Sequence, residues 1–213
     1  LVNINKQIMK IGHYNTSKIE NEHGMTANTV HGYRSDPFDD SKRVLCLGDS
    51  YTFAYGSPES HAWPGMLEQK VWNLGSPGAS AERIKRIWFS VLHNLNFDTA
   101  VILWPEPHRR EHYSDDSSHS ITGADKSLKY SDDTNDGYNL LHIVFDLEYS
   151  GSLNKKKIHH YAVSNRLPSN DIIHPVSLTN VWHDSGRNLG PDGVHPDLQC
   201  YSQFASLVKK NLT

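Results

Sequence analysis

The stretch Val44-Leu45-Cys46-Leu47-Gly48-Asp49-Ser50-Tyr51-Thr52 is apolar for four residues, breaks at a glycine and delivers a serine. Val44 to Leu47 has the composition of a strand buried on both faces, as in a parallel sheet. Gly48 permits a sharp exit from that strand, which places Ser50 at the start of a following helix. There a hydroxyl meets backbone N–H groups that have no partner inside the helix. Such groups attract an anion, and they can also stabilise the oxyanion formed when a serine attacks an acyl carbon. A neutral hydroxyl needs a base within hydrogen-bond reach to do this. Pro191-Asp192-Gly193-Val194-His195-Pro196, far downstream, offers an imidazole and a carboxylate.

The flanking sequence fits the same architecture. Val71-Trp72-Asn73-Leu74 reads as a second strand, closed by Gly75-Ser76-Pro77-Gly78. Ile84, Ile87, Trp88, Val91, Leu92 and Leu95 fall on one face of a helix for which Ser80 is the N-cap. Ala100 to Trp104 is a third strand. Alternation of strand and helix is the grammar of a parallel sheet covered on both faces, so the expected fold is a three-layer α/β/α sandwich with a mostly parallel central sheet. Trp63 to Lys70 is expected as a helix with Pro64 in its first turn. Pro105 to about Asp136 is polar and turn-rich and reads as a long loop, a lid or substrate wall. Asn139 to Tyr149 returns to helical spacing, Lys157 to Ser164 is a fourth strand, and residues 165–190 read as irregular. A last helix starts at about Asp197. Residues 1–40 are polar with few periodic apolar positions and read as an extended arm, leaving 41–213 as the single domain.

Composition narrows the functional classes. A net charge of -3 with 21% charged residues gives no electrostatic footprint for nucleic acid. No apolar run reaches the ~18 residues of a membrane span. Leu1 opens no basic-then-apolar signal sequence, so a soluble protein is expected, cytoplasmic or secreted after processing of a leader. Two cysteines, Cys46 in a predicted strand and Cys200 in a predicted helix, define no disulfide framework and are expected reduced and buried. Fourteen histidines invite a metal reading, yet no His-Glu-x-x-His or paired-Cys spacing occurs, and His159 and His160 on one strand point to opposite faces. Asp132 to Gly137 opens like a calcium loop, but its twelfth position is Ile143 where a glutamate is needed. No metal and no cofactor are expected.

Gly48-Asp49-Ser50 after the first strand, together with Asp192-x-x-His195 before the last helix, resembles the SGNH (GDSL-type) hydrolases, a family of esterases and lipases. The resemblance covers about residues 40–213 and implies a flavodoxin-like SGNH hydrolase fold. It also implies a triad of Ser50, His195 and Asp192: His195 takes the serine proton and returns it to the leaving group, Asp192 fixes the imidazole, and water resolves the acyl-enzyme. Asn73 to Gly78 is similar to the family's second motif, whose register makes Gly78 an oxyanion donor alongside the Ser50 N–H. The equally weighted alternative is that Gly75 and Gly78 only permit a tight turn.

The third motif departs from the family. Where Gly-x-Asn-Asp is usual, this chain has Trp104-Pro105-Glu106-Pro107-His108-Arg109-Arg110-Glu111, with His108 at the position of the oxyanion Asn. Loss of such a donor costs about 10²–10³ in turnover unless it is replaced. His108 or Arg109 is the candidate replacement, against a basic turn balanced by Glu106 and Glu111. The resemblance therefore implies a serine esterase acting on a small acyl ester, with an O-acetyl group on carbohydrate as the preferred substrate. The alternatives are an O-acetyltransferase using the same triad and a catalytically inactive domain that binds glycan or a partner protein. Trp63, Trp104, Tyr51 and Tyr55 are candidates to line an aromatic, sugar-binding cleft.

Overall fold

The computed structural model describes residues 33–35, 38–114, 117–121, 133–166 and 170–212. Most of the expected N-terminal arm, residues 1–32, 36 and 37, lies outside them. The central sheet has four parallel strands: β1 (Val44–Gly48), β2 (Val71–Gly75), β3 (Thr99–Trp104) and β6 (Lys157–Ala162), in the order β2-β1-β3-β6. Cys46 pairs in register with Asn73 on one side and Val101 on the other, and Val101 in turn with His159.

Alternation along the strands divides the interior into two cores. Leu45 and Leu47 of β1, with Ala100, Ile102 and Trp104 of β3, face helices α2 (Ala81–Val91) and α3 (Asp133–Leu153) through Ile84, Trp88, Val144 and Leu147. Val44, Cys46, Val101 and Leu103 face the other way, toward α4 (Leu178–Asp184) and α5 (Leu198–Leu212), where Val181, Tyr201, Phe204 and Val208 close the layer. A strand with both faces covered has no polar side, which is why β1 and β3 read as continuous apolar runs. Layered α/β/α architecture follows directly. Both cysteines are free and buried, and burial pushes the Cys200 thiol up to about 12.

Several elements differ from the sequence expectation. Trp63–Leu67 forms a 3-10 helix, preceded by a 3-10 turn at Glu59–His61; Pro64-Gly65 disfavours a regular helix, and Glu68 at φ 57° ends it. The long loop after β3 contains an antiparallel hairpin, β4 (Arg110–Ser114) with β5 (Ser117–Ile121). Its two strands are polar in sequence, so no apolar alternation announces them. Within 165–190 lies α4, held by a capping box in which Ser177 and Asn180 bond each other's backbone N–H. Helix α3 is much longer than expected, and its start at Asp133 removes the calcium-loop geometry. His160 turns into the first core, accepting from the Trp104 indole at Nδ1 (2.9 Å) and meeting Glu148 at Nε2 (2.7 Å). No group of metal-ligating side chains occurs among the described residues, and none of their helices is long and apolar enough to cross a membrane.

From β1 the chain runs outward to β2 and then crosses back to β3, so its direction reverses between β1 and β3. The crevice at the carboxyl ends of those two strands is the place where such sheets bind ligands. The four-residue helix α1 (Ser50–Phe53) begins there and packs on β2 with no room to spare. A methyl group at Gly75 would lie 2.5 Å from the Phe53 nitrogen and 2.8 Å from the Thr52 carbonyl carbon, both backbone atoms. Gly75→Ala is expected to lower stability by about 1–3 kcal/mol through this overpacking, measured as a shift in the urea midpoint; an unchanged midpoint would show that α1 yields at no cost.

Candidate active site

Ser50 opens α1, and Asp49 caps it. The Asp49 carboxylate accepts from the Tyr51 N–H at 3.0 Å, while the Asp49 carbonyl accepts from Thr52 and Phe53. Ala54 then takes a left-handed conformation (φ 58°) and ends the helix after one turn. Ser76 N–H donates to the Gly48 carbonyl at 3.0 Å, which ties the turn after β2 to the end of β1. That turn, closed by Ala79 N–H on Ser76 O, contains Gly78 at φ 72°.

The C-terminal motif reaches the same rim by a compact loop. Leu189 and Pro196 form an antiparallel bridge, and Gly190 N–H donates to the His195 carbonyl at 2.7 Å. Within the loop one oxygen of Asp192 accepts from the backbone N–H of Val194 and of His195, both at 3.0 Å. The other lies 2.6 Å from His195 Nδ1, and His195 Nε2 lies 2.9 Å from Ser50 Oγ, across 145 positions of sequence. With the imidazole proton on Nδ1 facing the carboxylate, Nε2 is left to accept the serine hydroxyl. Burial alone would raise the Asp192 carboxyl, but the His195 ring and the two backbone N–H groups together hold it below the usual carboxylate range. Ser50 keeps 8% of its surface open and His195 9%.

Of the four aromatic side chains expected around a cleft, two lie against the His195 ring. Tyr51 and Tyr55 flank His195 with ring centroids at 5.1 and 5.7 Å. Trp63 and Trp104 do not line a cleft; each has no exposed surface and belongs to a core, because β3 and the 3-10 helix turn them inward.

Arg109 leaves the turn after β3 and points its guanidinium at Asp49, with Nη1 2.5 Å from Oδ2. The Asp49 side chain has no exposed surface and that of Arg109 little. Burial pushes the Asp49 carboxyl upward, and Arg109 opposes it. The guanidinium is thus an anchor for the residue that caps α1. His108 sits beside it in the turn, half-exposed.

Two positions that the sequence reading passed over shape the site. Gly56 (φ 77°) lies against Asp192: a methyl group there would be 2.3 Å from its carboxyl carbon. Arg34 is buried, sits over the Phe53 ring at 4.5 Å and donates to the carbonyls of Ala54 (2.9 Å) and Ser57 (2.7 Å), fixing the loop that carries Gly56. A glycine three residues beyond the end of α1 was visible in the sequence, but its neighbour, Asp192, was not.

Tyr51 and Pro196, the chain neighbours of Ser50 and His195, help to wall a cavity of about 160 Å³ together with Glu106, Val163, Thr179 and Trp182 among others. Glu106 accepts from the Ser164 hydroxyl at 2.9 Å. This volume is well below the roughly 300–1,000 Å³ of drug-sized pockets, so it takes a small group.

Two outcomes are expected from these contacts. Arg109→Ala strands a buried carboxylate and should cost about 3–5 kcal/mol; adding Asp49→Asn should recover most of it, since an amide needs no counter-charge. Simple additivity of the two costs in urea denaturation would show that the pair is not coupled. Gly56→Ala should push Asp192 off His195 and lower kcat by orders of magnitude toward the about 10⁴-fold seen when a triad carboxylate is disabled. Unchanged kcat would mean that the loop can retreat.

No protein-family model and no curated protein sequence matches the chain. Solved structures do. The crystal structure of TesA superposes with a TM-score of 0.52 at 15% identity, covering 81% of this chain and 98% of that one. The psychrotrophic esterase EstA from Pseudoalteromonas sp., in a structure inhibited by monoethylphosphonate, does so with a TM-score of 0.50 at 16% identity, covering 81% and 99%. Likeness at this level of identity speaks for architecture: the chain has the three-layer α/β/α fold of the SGNH (GDSL-type) hydrolases.

Proposed function

We propose that this protein is a serine ester hydrolase of the GDSL type acting on a small acyl ester. The observation that carries the reading is the continuous line of hydrogen bonds from the Asp192 carboxylate through His195 to Ser50 Oγ. His195 Nε2 takes the hydroxyl proton as Ser50 Oγ attacks the acyl carbon, and Asp192 stabilises the imidazolium that results. The imidazolium returns the proton to the departing alcohol, leaving Ser50 acylated. Water, deprotonated by the same nitrogen, then releases the acid and restores the serine.

The negative charge on the tetrahedral intermediate is met by the N–H groups of Ser50 and Gly78. Arg109, or His108 beside it, takes the part of the side-chain donor. A guanidinium already held by Asp49 has further N–H groups to offer, and each such donor is worth about 10²–10³ in turnover. An O-acetyl group on a carbohydrate is the preferred substrate: the acid part is small, and Tyr51 and Tyr55 present aromatic surface beside the reacting atoms.

A fluorophosphonate probe should label the wild-type chain at Ser50 and leave Ser50→Ala unlabelled, and the same substitution should lower hydrolysis of 4-nitrophenyl acetate by about 10⁴–10⁶-fold. Failure of the wild-type serine to react would reduce the site to a binding surface. Among 4-nitrophenyl esters, turnover should fall as the acyl chain lengthens; a preference for C8 or longer would overturn the small-acyl assignment.

A further inference from the structure

The leaving alcohol of an ester must lie on the His195 side of Ser50, because the imidazolium has to reach the oxygen that it protonates. The 160 Å³ cavity is on that side: Tyr51 packs on the His195 ring, and Pro196 follows His195 in the chain. The Gly78 turn, by contrast, follows β2, on the other side of β1 from β3 and Glu106. The carbonyl oxygen, directed to the Gly78 turn, and the leaving alcohol, directed to the cavity, thus have separate places.

The walls of the cavity are short of donors. The Thr179 hydroxyl donates to the Val163 carbonyl at 2.6 Å, and the Trp182 indole N–H donates to the Asn188 carbonyl at 2.8 Å. Among the described residues, Glu106 accepts from Ser164 through Oε2, which leaves Oε1 and the Thr179 lone pairs as acceptors. Tyr51, whose hydroxyl can donate or accept, is the exception. Val163 and Leu178 supply apolar wall. An anion would be repelled by the carboxylate, and a plain hydrocarbon would leave its Oε1 desolvated. The matching occupant is a compact group that brings its own hydroxyl donors and has an apolar face.

We propose that this cavity is the alcohol subsite, that it selects a neutral, hydroxyl-bearing leaving alcohol, and that Glu106 is the residue that determines this selection. The proposal rests on the hydrolase reading. It gives the third motif a second use: Arg109 holds the nucleophile turn, while Glu106, three residues earlier, reads the substrate.

The test keeps the acid constant and varies the alcohol: kcat/KM is measured for 4-nitrophenyl acetate, for cyclohexyl acetate and for a mono-O-acetylated methyl xyloside. The wild-type protein should prefer the xyloside to the cyclohexyl ester. Glu106→Gln and Glu106→Leu should each reduce the ratio of the two, by about tenfold to a hundredfold, as expected for loss of a hydrogen bond to a charged acceptor. Trp182→Leu should reduce it as well through loss of the flat wall, and it provides the readout if a Glu106 variant does not fold. A wild-type preference for cyclohexyl acetate, or a ratio unmoved by any folded variant, overturns the subsite while leaving the hydrolase intact. No turnover of any ester by the wild-type chain, 4-nitrophenyl acetate included, overturns both.

Discussion

Strand β1 is hydrogen-bonded along both edges and covered on both faces, and the rest of the structure depends on that confinement. Its residues pair with β2 on one side and β3 on the other, while its side chains alternate between two cores. A slip of one residue would exchange those side chains between the cores and bring down both layers. The end of β1 is therefore a fixed point. Asp49 and Ser50 follow it immediately, and the strand order reverses around it, so the hydroxyl is carried directly beyond a strand paired on both edges. Everything mobile has to come to the serine.

The fold was legible because its signal is apolar and repetitive. Buried strands and one-faced helices such as α2 can be read from spacing alone, and the GDS and DxxH motifs announced the two ends of the hydrogen-bonded line. What stayed hidden has a common cause. Hairpin β4–β5 is held by backbone pairing between polar residues, and α4 by a capping box on a helix too short to show a period. Gly56 and Arg34 act on residues distant in the chain, through a contact that no local pattern encodes. Aromatic residues were the ambiguous case: Trp63 and Trp104 are core, Tyr51 and Tyr55 border His195, and composition does not separate the two.

The turn after β3 shows how a site accommodates an unusual sequence. An amide is neutral and needs no counter-charge, whereas Arg109 brings a positive charge close to the sheet. Asp49, capping α1 from a fully buried position, supplies the opposite charge. Each group makes the other's burial tolerable, and the carboxylate becomes a joint between the end of β1 and the turn after β3. A substitution at either residue is felt at both.

The two halves of the Ser50–His195 contact stand on supports of very different stiffness. The serine opens α1, two residues beyond the last paired residue of β1, whereas the imidazole is carried by a short peripheral loop held through the Leu189–Pro196 bridge and the carboxylate of Asp192. Opening that loop needs none of the sheet to come apart, so local and global unfolding have separate free energies. On the hydrolase reading, warming is therefore expected to open the His195 loop before the sheet, so that ester hydrolysis falls while the circular dichroism is still native and returns on cooling without refolding.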